Sequence, residues 1–137
     1  MSAFELDARL AADTHAVGDL ELSRVLLMGD ARFPWLILVP RRAGMRDLID
    51  LARDEQHALL DEIERCATAL RNLHKPDKLN VAALGNVVAQ LHVHVIARTR
   101  QDAAWPQPVW GIGARIAYDR SALQLRLAGL RAALRLQ

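Results

Sequence analysis

Cysteine is nearly absent from this chain. Of 137 residues only Cys66 carries a thiol, so no intramolecular disulfide can form. It falls inside a helical pattern, which points to a buried thiol in a reducing compartment. Long apolar runs are missing as well. No stretch approaches the roughly 18–20 apolar residues of a membrane span. The opening MSAFELDARLAADT is acidic and too polar for a signal-peptide core. A cytoplasmic protein with no membrane partner is expected. Nor is charge of one sign concentrated: 18 Lys and Arg interleave with 16 Asp and Glu, for a net +2. Without a basic run, nucleic acid is not an expected partner. There is no internal repeat, low-complexity tract or dividing linker. One domain over residues 1–137 follows, with the ordinary composition of a globular chain: 52% hydrophobic and 25% charged.

FELDARLAAD suits a short opening helix. DLELSRVLLMGD, residues 19–30, reads as a strand ending in a Gly-Asp turn. WLILVPRR follows after a few residues; its unbroken Leu36–Val39 run predicts a buried strand stopped by Pro40. So short a connection makes the two an antiparallel hairpin. ARDEQHALLDEIERCATALRNLHK is the clearest helix, with Leu59, Ile63, Cys66, Leu70 and Leu73 at the helical period. Asp54 and Glu55 favour its N-terminus, and Asp61 and Arg65 are spaced for an outer i,i+4 ion pair. KLNVAALGN and AQLHVHVIAR read as two further strands around a Gly-Asn turn. A last helix is expected over about 119–136, its Leu123, Leu127, Leu130 and Leu134 packing on the domain or a partner chain. Paired strands with separate helices predict an α+β fold, an antiparallel sheet with a long helix packed on it.

QLHVHVIAR, residues 90–98, carries the chemistry. Side chains alternate along a strand. Leu91, Val93 and Val95 therefore share one face, and Gln90, His92 and His94 the other, about 7 Å between neighbours. One imidazole in such a row can attack an electrophile that its neighbours bind and orient. A neutral ring near pH 7 suits that role. Two other readings compete. The pair can simply line a solvated strand face, or His-x-His can ligate a metal. No Cys or carboxylate lies close in sequence to complete a metal set, and His15, His57 and His74 lie elsewhere. No cofactor is implied. AWPQPVWG brings Trp105 and Trp110 together just after this strand; packing is the favoured role for both, bordering a cleft the other.

QLHVHVIAR resembles the signature of the histidine triad (HIT) superfamily, His-x-His-x-His with hydrophobic x. Gln90 stands at the first triad position, His92 at the second and His94 at the third. NVAALGNVVAQ resembles the family's asparagine, Gly turn and entry to the triad strand. FPWLILVPRR resembles its core strand, and DLIDLARDEQHALLDEIERC its Asp-Leu before the long helix. The likeness spans a triad core of about 26–98. It implies a HIT-like α+β domain, usually a homodimer that extends the sheet. It also implies nucleotide substrates whose 5′-phosphate carries a leaving group, such as dinucleoside polyphosphates or nucleoside phosphoramidates. By the same resemblance His92 would form a nucleotidyl-histidine that water hydrolyses, and His94 would polarise the phosphate. Asn80 would be the site asparagine, the Gly85–Asn86 turn would meet the phosphate, and Asp30 would lie near the ribose. Three positions depart from the pattern: Gln90 replaces the first histidine, Trp35 stands where many relatives have another, and Val87 replaces a Ser or Thr. An amide cannot exchange a proton near neutrality, so slower or redirected catalysis is expected. A nucleotide hydrolase is the leading expectation. A nucleotide-binding or sensing protein with a weakened site comes next, and a His-x-His metal protein last.

Overall fold

WLILV has no polar position along it because the strand it forms is covered on both faces. The computed structural model describes residues 3–136. It places a short helix α1 (Ala8–Asp13) first, then strands β1 (Thr14–Asp19), β2 (Ser23–Met28) and β3 (Trp35–Pro40). Helix α2 (Arg53–His74), β4 (Lys78–Ala82), β5 (Val93–Arg98) and α3 (Arg120–Leu134) follow. The five strands form one antiparallel sheet in the order β1-β2-β3-β5-β4. Every residue of β3 and of β5 is buried.

On one face of the sheet Val25, Leu27, Leu36, Leu38, Val93 and Val95 meet Leu59, Cys66 and Leu70 of α2 and Leu130 and Leu134 of α3. On the other, Leu26, Trp35, Ile37 and Ile96 meet Leu10 of α1, Phe33 and the loop residues Ala104 and Val109. The alternation seen in the sequence thus sorts two different cores. Truncating a leucine of either would cost about 2–5 kcal/mol. Burial pushes the Cys66 thiol up to about 12, with the nearby Glu62 carboxylate adding to it. The thiol is therefore not a nucleophile near neutrality.

β1 is a strand that the sequence reading did not anticipate. THAVGD buries one of its six residues and carries a bulge between Ala16 and Gly18, so its alternation is weak. The strand expected over 19–30 is shorter, because Leu20–Leu22 form the β1–β2 turn, closed by Leu20 N–H donating to Ser23 O at 2.9 Å. That turn also explains a rotation of α2. Its buried residues are Leu59, Glu62, Cys66, Ala69 and Leu70, while Leu73 is 43% exposed. The Glu62 carboxylate reaches the turn and accepts from Leu22 N–H (2.8 Å) and Ser23 N–H (3.0 Å). The expected Asp61–Arg65 pair is not among the ion pairs of the described residues; Arg65 donates instead to the Leu134 carbonyl at the end of α3.

Glu62→Ala would strand two buried amide donors and cost about 3 kcal/mol. Glu62→Gln, which keeps one acceptor, should cost less. Urea denaturation of the two variants checks the order; equal midpoints to the wild type would remove Glu62 from this role.

Candidate active site

The two histidines stand where β5 begins. Ile37 of β3 and Ala82 of β4 flank His94 in register. His92 lies one residue before the strand yet keeps the alternation, with Leu91 and Val93 in the opposite core. Both rings are buried. They lean together to a centroid separation of 4.9 Å, edge to face, closer than the backbone repeat alone would place them. They border a cleft of about 360 Å³ on the sheet face away from α2. Leu10, Met28 and Ile37 supply one wall, and Gly85, Asn86 and Val87 another. Gly85 has a φ of +88°, a conformation that disfavours a side chain, so the turn needs glycine there. Among the described residues the backbone N–H groups of Gly85, Asn86 and Val87 meet no protein acceptor. Amides free at such a turn suit an anion.

Each ring has one nitrogen engaged, and the partners differ in kind. His92 Nδ1 lies 2.6 Å from the Gln90 backbone carbonyl. A carbonyl only accepts, so the proton is on Nδ1 and Nε2 carries a free lone pair. His94 Nδ1 lies 2.9 Å from Trp35 Nε1. An indole N–H only donates, so His94 Nδ1 accepts, and the neutral ring's proton is on Nε2. Neighbouring rings thus hold opposite tautomers, one with a free lone pair and the other with a free N–H donor. Burial, with the adjacent His92 adding in the same direction, lowers His94 to about 4. Trp110 stands edge-on to His94 at 5.0 Å and to Trp35 at 5.7 Å, closing the aromatic side.

Of the seven residues expected at the site, His92, His94, Gly85 and Asn86 line this cleft. The side chains of Gln90, Asn80 and Asp30 are bound elsewhere. Gln90 accepts from Asp7 N–H at 2.9 Å and donates to the Glu5 carbonyl at 2.8 Å, so its amide clasps the N-terminal segment. Its backbone, not its side chain, serves His92. Asn80 accepts from Arg98 at 2.9 Å. Arg98 is itself buried, pairs with Asp102 at 2.8 Å and lies over the Phe33 and Trp105 rings. Burial opposes ionisation of Asp102, but the Arg98 hydrogen bond and three backbone N–H groups outweigh it and hold the carboxyl near 2. Asp30 is buried against Arg32 at 2.8 Å and also accepts from the Arg32 and Ile116 amides. Packing describes Trp105, whereas Trp110 is 37% exposed and borders the cleft. Missing from the sequence reading were the role of Trp35 as a donor to His94 and the wall built by Leu10, Met28 and Ile37. No local pattern links those residues.

Among the described residues no group of three His, Cys, Asp or Glu side chains is placed to hold a metal ion. No helix of the described residues is long and apolar enough to cross a membrane.

The HIT domain model matches residues 9–101. The chain belongs to the histidine triad family. Among solved structures, a histidine triad protein from Bradyrhizobium japonicum is 50% identical, with a TM-score of 0.95 over 97% of this chain and 99% of that one. One from Marinobacter aquaeolei is 44% identical, with a TM-score of 0.95 over 98% of each chain. One from Sinorhizobium meliloti is 41% identical, with a TM-score of 0.92 over 95% and 96%. A comparison with curated proteins gives no match. HIT membership supports nucleotide binding, and the α+β sheet with its long helix is the HIT fold.

His94 ties the stability of this HIT domain to pH. An unfolded histidine titrates near 6.5 and folded His94 near 4. Between those values the unfolded chain binds more protons, so stability is lost as pH falls from about 6.5 to about 4. His94 accounts for about 3 kcal/mol of that loss. His74, lowered by burial and by Arg126, adds in the same direction. Denaturant midpoints from pH 7 to pH 4 should therefore fall less steeply for His94→Asn than for the wild type. Parallel curves would show that His94 does not carry the dependence.

Proposed function

We propose that this HIT protein hydrolyses a nucleoside 5′-phosphoanhydride or phosphoramidate, such as a dinucleoside polyphosphate, through a nucleotidyl-His92 intermediate. One observation carries the reading: the 2.6 Å contact from His92 Nδ1 to the Gln90 carbonyl, which leaves Nε2 with its lone pair at the cleft. In this reading the α-phosphate sits between His92, the Nε2–H of His94 and the free amides of the Gly85–Val87 turn. Those donors stabilise the charge that develops on the phosphoryl oxygens. The wall of Leu10, Met28 and Ile37 takes the apolar faces of the base. Water then attacks the same phosphorus and releases the nucleotide.

His92→Ala should abolish turnover of diadenosine tetraphosphate and adenosine phosphoramidate, and wild-type protein should trap label from α-labelled substrate on His92. Turnover that survives the substitution, or none at all in the wild type, would sink the reading. A second reading is nucleotide binding or sensing without catalysis. It is favoured by Gln90, whose side-chain amide is held by the N-terminal segment and has no titratable proton to offer. Tight AMP binding with no turnover of either substrate would select it.

We also propose a homodimer that extends the sheet. β4 is an edge strand, and Val81 on it is 51% exposed. Beside it Leu60 of α2 is exposed, and the two border a groove of about 450 Å³ between helix and edge. An unpaired edge next to apolar surface is a site for strand pairing. Sedimentation should give twice the chain mass for the wild type and the single chain mass for Val81→Arg. A wild-type monomer at micromolar concentration would count against it.

A further inference from the structure

We propose that this site favours phosphoanhydrides over phosphoramidates, because His94 and Gln90, the polar side chains that flank the nucleophile on either side along the chain, are bound so that neither gives a proton to the departing group. The inference rests on the nucleotidyl-His92 reading and specifies its leaving group.

The balance of the first step sets the requirement. His92 Nε2 forms a bond to the α-phosphorus, and the bond from phosphorus to the leaving atom breaks. The electron pair goes with that atom. A phosphate or polyphosphate oxygen keeps the pair as a stable anion and needs no proton. An amine nitrogen does not, so the P–N bond of a phosphoramidate breaks only as nitrogen is protonated. Such a substrate asks the enzyme for a general acid. In the second step water bonds to phosphorus, the pair of the N–P bond returns to Nε2, and the water's proton passes to solvent.

Among the described residues at the cleft, none supplies that acid. Gln90 is an amide, with both ends held by Glu5 and Asp7. His94 is held by the Trp35 N–H as a neutral ring; its Nε2–H gives a hydrogen bond and keeps its proton. Burial between Trp35 and Trp110 opposes a second proton on that ring. The remaining proton near the reaction, on His92 Nδ1, is committed to the Gln90 carbonyl. Asp13 on the cleft wall is ion-paired with Arg115 at 3.2 Å. Asp47, across Gly85 and His92 in a small adjoining hollow, shares it with Arg46. Trp35 is thus a positioning residue, acting on the reaction through His94.

The test compares diadenosine tetraphosphate with adenosine phosphoramidate, which share the transferred AMP group, on the full chain. The expected kcat/KM favours the anhydride by about 100-fold or more, the size of an absent general acid. Trp35→His, which puts a titratable ring against His94 Nδ1, should narrow that ratio about tenfold or more. Nitrogen-15 NMR should show His94 as a single Nε2–H tautomer in the wild type, and not in Trp35→Phe. Comparable kcat/KM for the two wild-type substrates overturns this proposal and leaves nucleotidyl-His92 standing. Turnover of neither overturns both. His94 signals unchanged in Trp35→Phe overturn the part given to Trp35.

Discussion

The site depends on β5 being held between β3 and β4 with both of its faces buried. A strand has a period of two, so a slip of one residue would send His92 and His94 into the α2 core and Val93 and Val95 into the cleft. The register is fixed because the two faces want different things. Leu91, Val93 and Val95 pack against α2, while the histidine face meets Trp35 and the loop tryptophan Trp110. The same pairing of β3 with β5 brings the Trp35 indole to His94. Hydrophobic sorting of the strand and the chemistry of the cleft are one constraint.

A consequence is that the two histidines are made unlike by their neighbours. Their unperturbed chemistry is the same. A carbonyl opposite one Nδ1 and an indole N–H opposite the other separate them into a lone-pair bearer and a proton bearer. The replacement at the first triad position then loses much of its surprise. Position 90 serves His92 through its backbone oxygen, which any residue provides. The side chain is released for another task, clasping Glu5 and Asp7 and so holding the segment that leads into α1, whose Leu10 walls the cleft.

Much of the fold was legible in local patterns. The β2–β3 hairpin, the long helix, the triad strand and the last helix all announce themselves by period and by turn residues. What escaped has a physical reason in each case. β1 is a short, bulged edge strand with little to bury, so it leaves almost no alternation. The rotation of α2 comes from Glu62, a charged residue made internal by two turn amides that only folding brings to it. Asp30 and Asn80 are site residues by the family resemblance alone, and the structure shows what their side chains bind. Each accepts from an arginine, half-buried Arg32 and buried Arg98, and a guanidinium drawn into the fold needs such partners.

The sequence by itself determined that His92 and His94 lie on one face of a strand, next to a Gly-Asn turn, because covalent geometry and the period of a strand are local. Tertiary structure alone decided what those rings are. Trp35 lies 59 residues before His94, and Gln90 meets the N-terminal segment more than 80 residues away. A tautomer is set by the atom opposite each nitrogen, and that atom is chosen by packing and not by order along the chain.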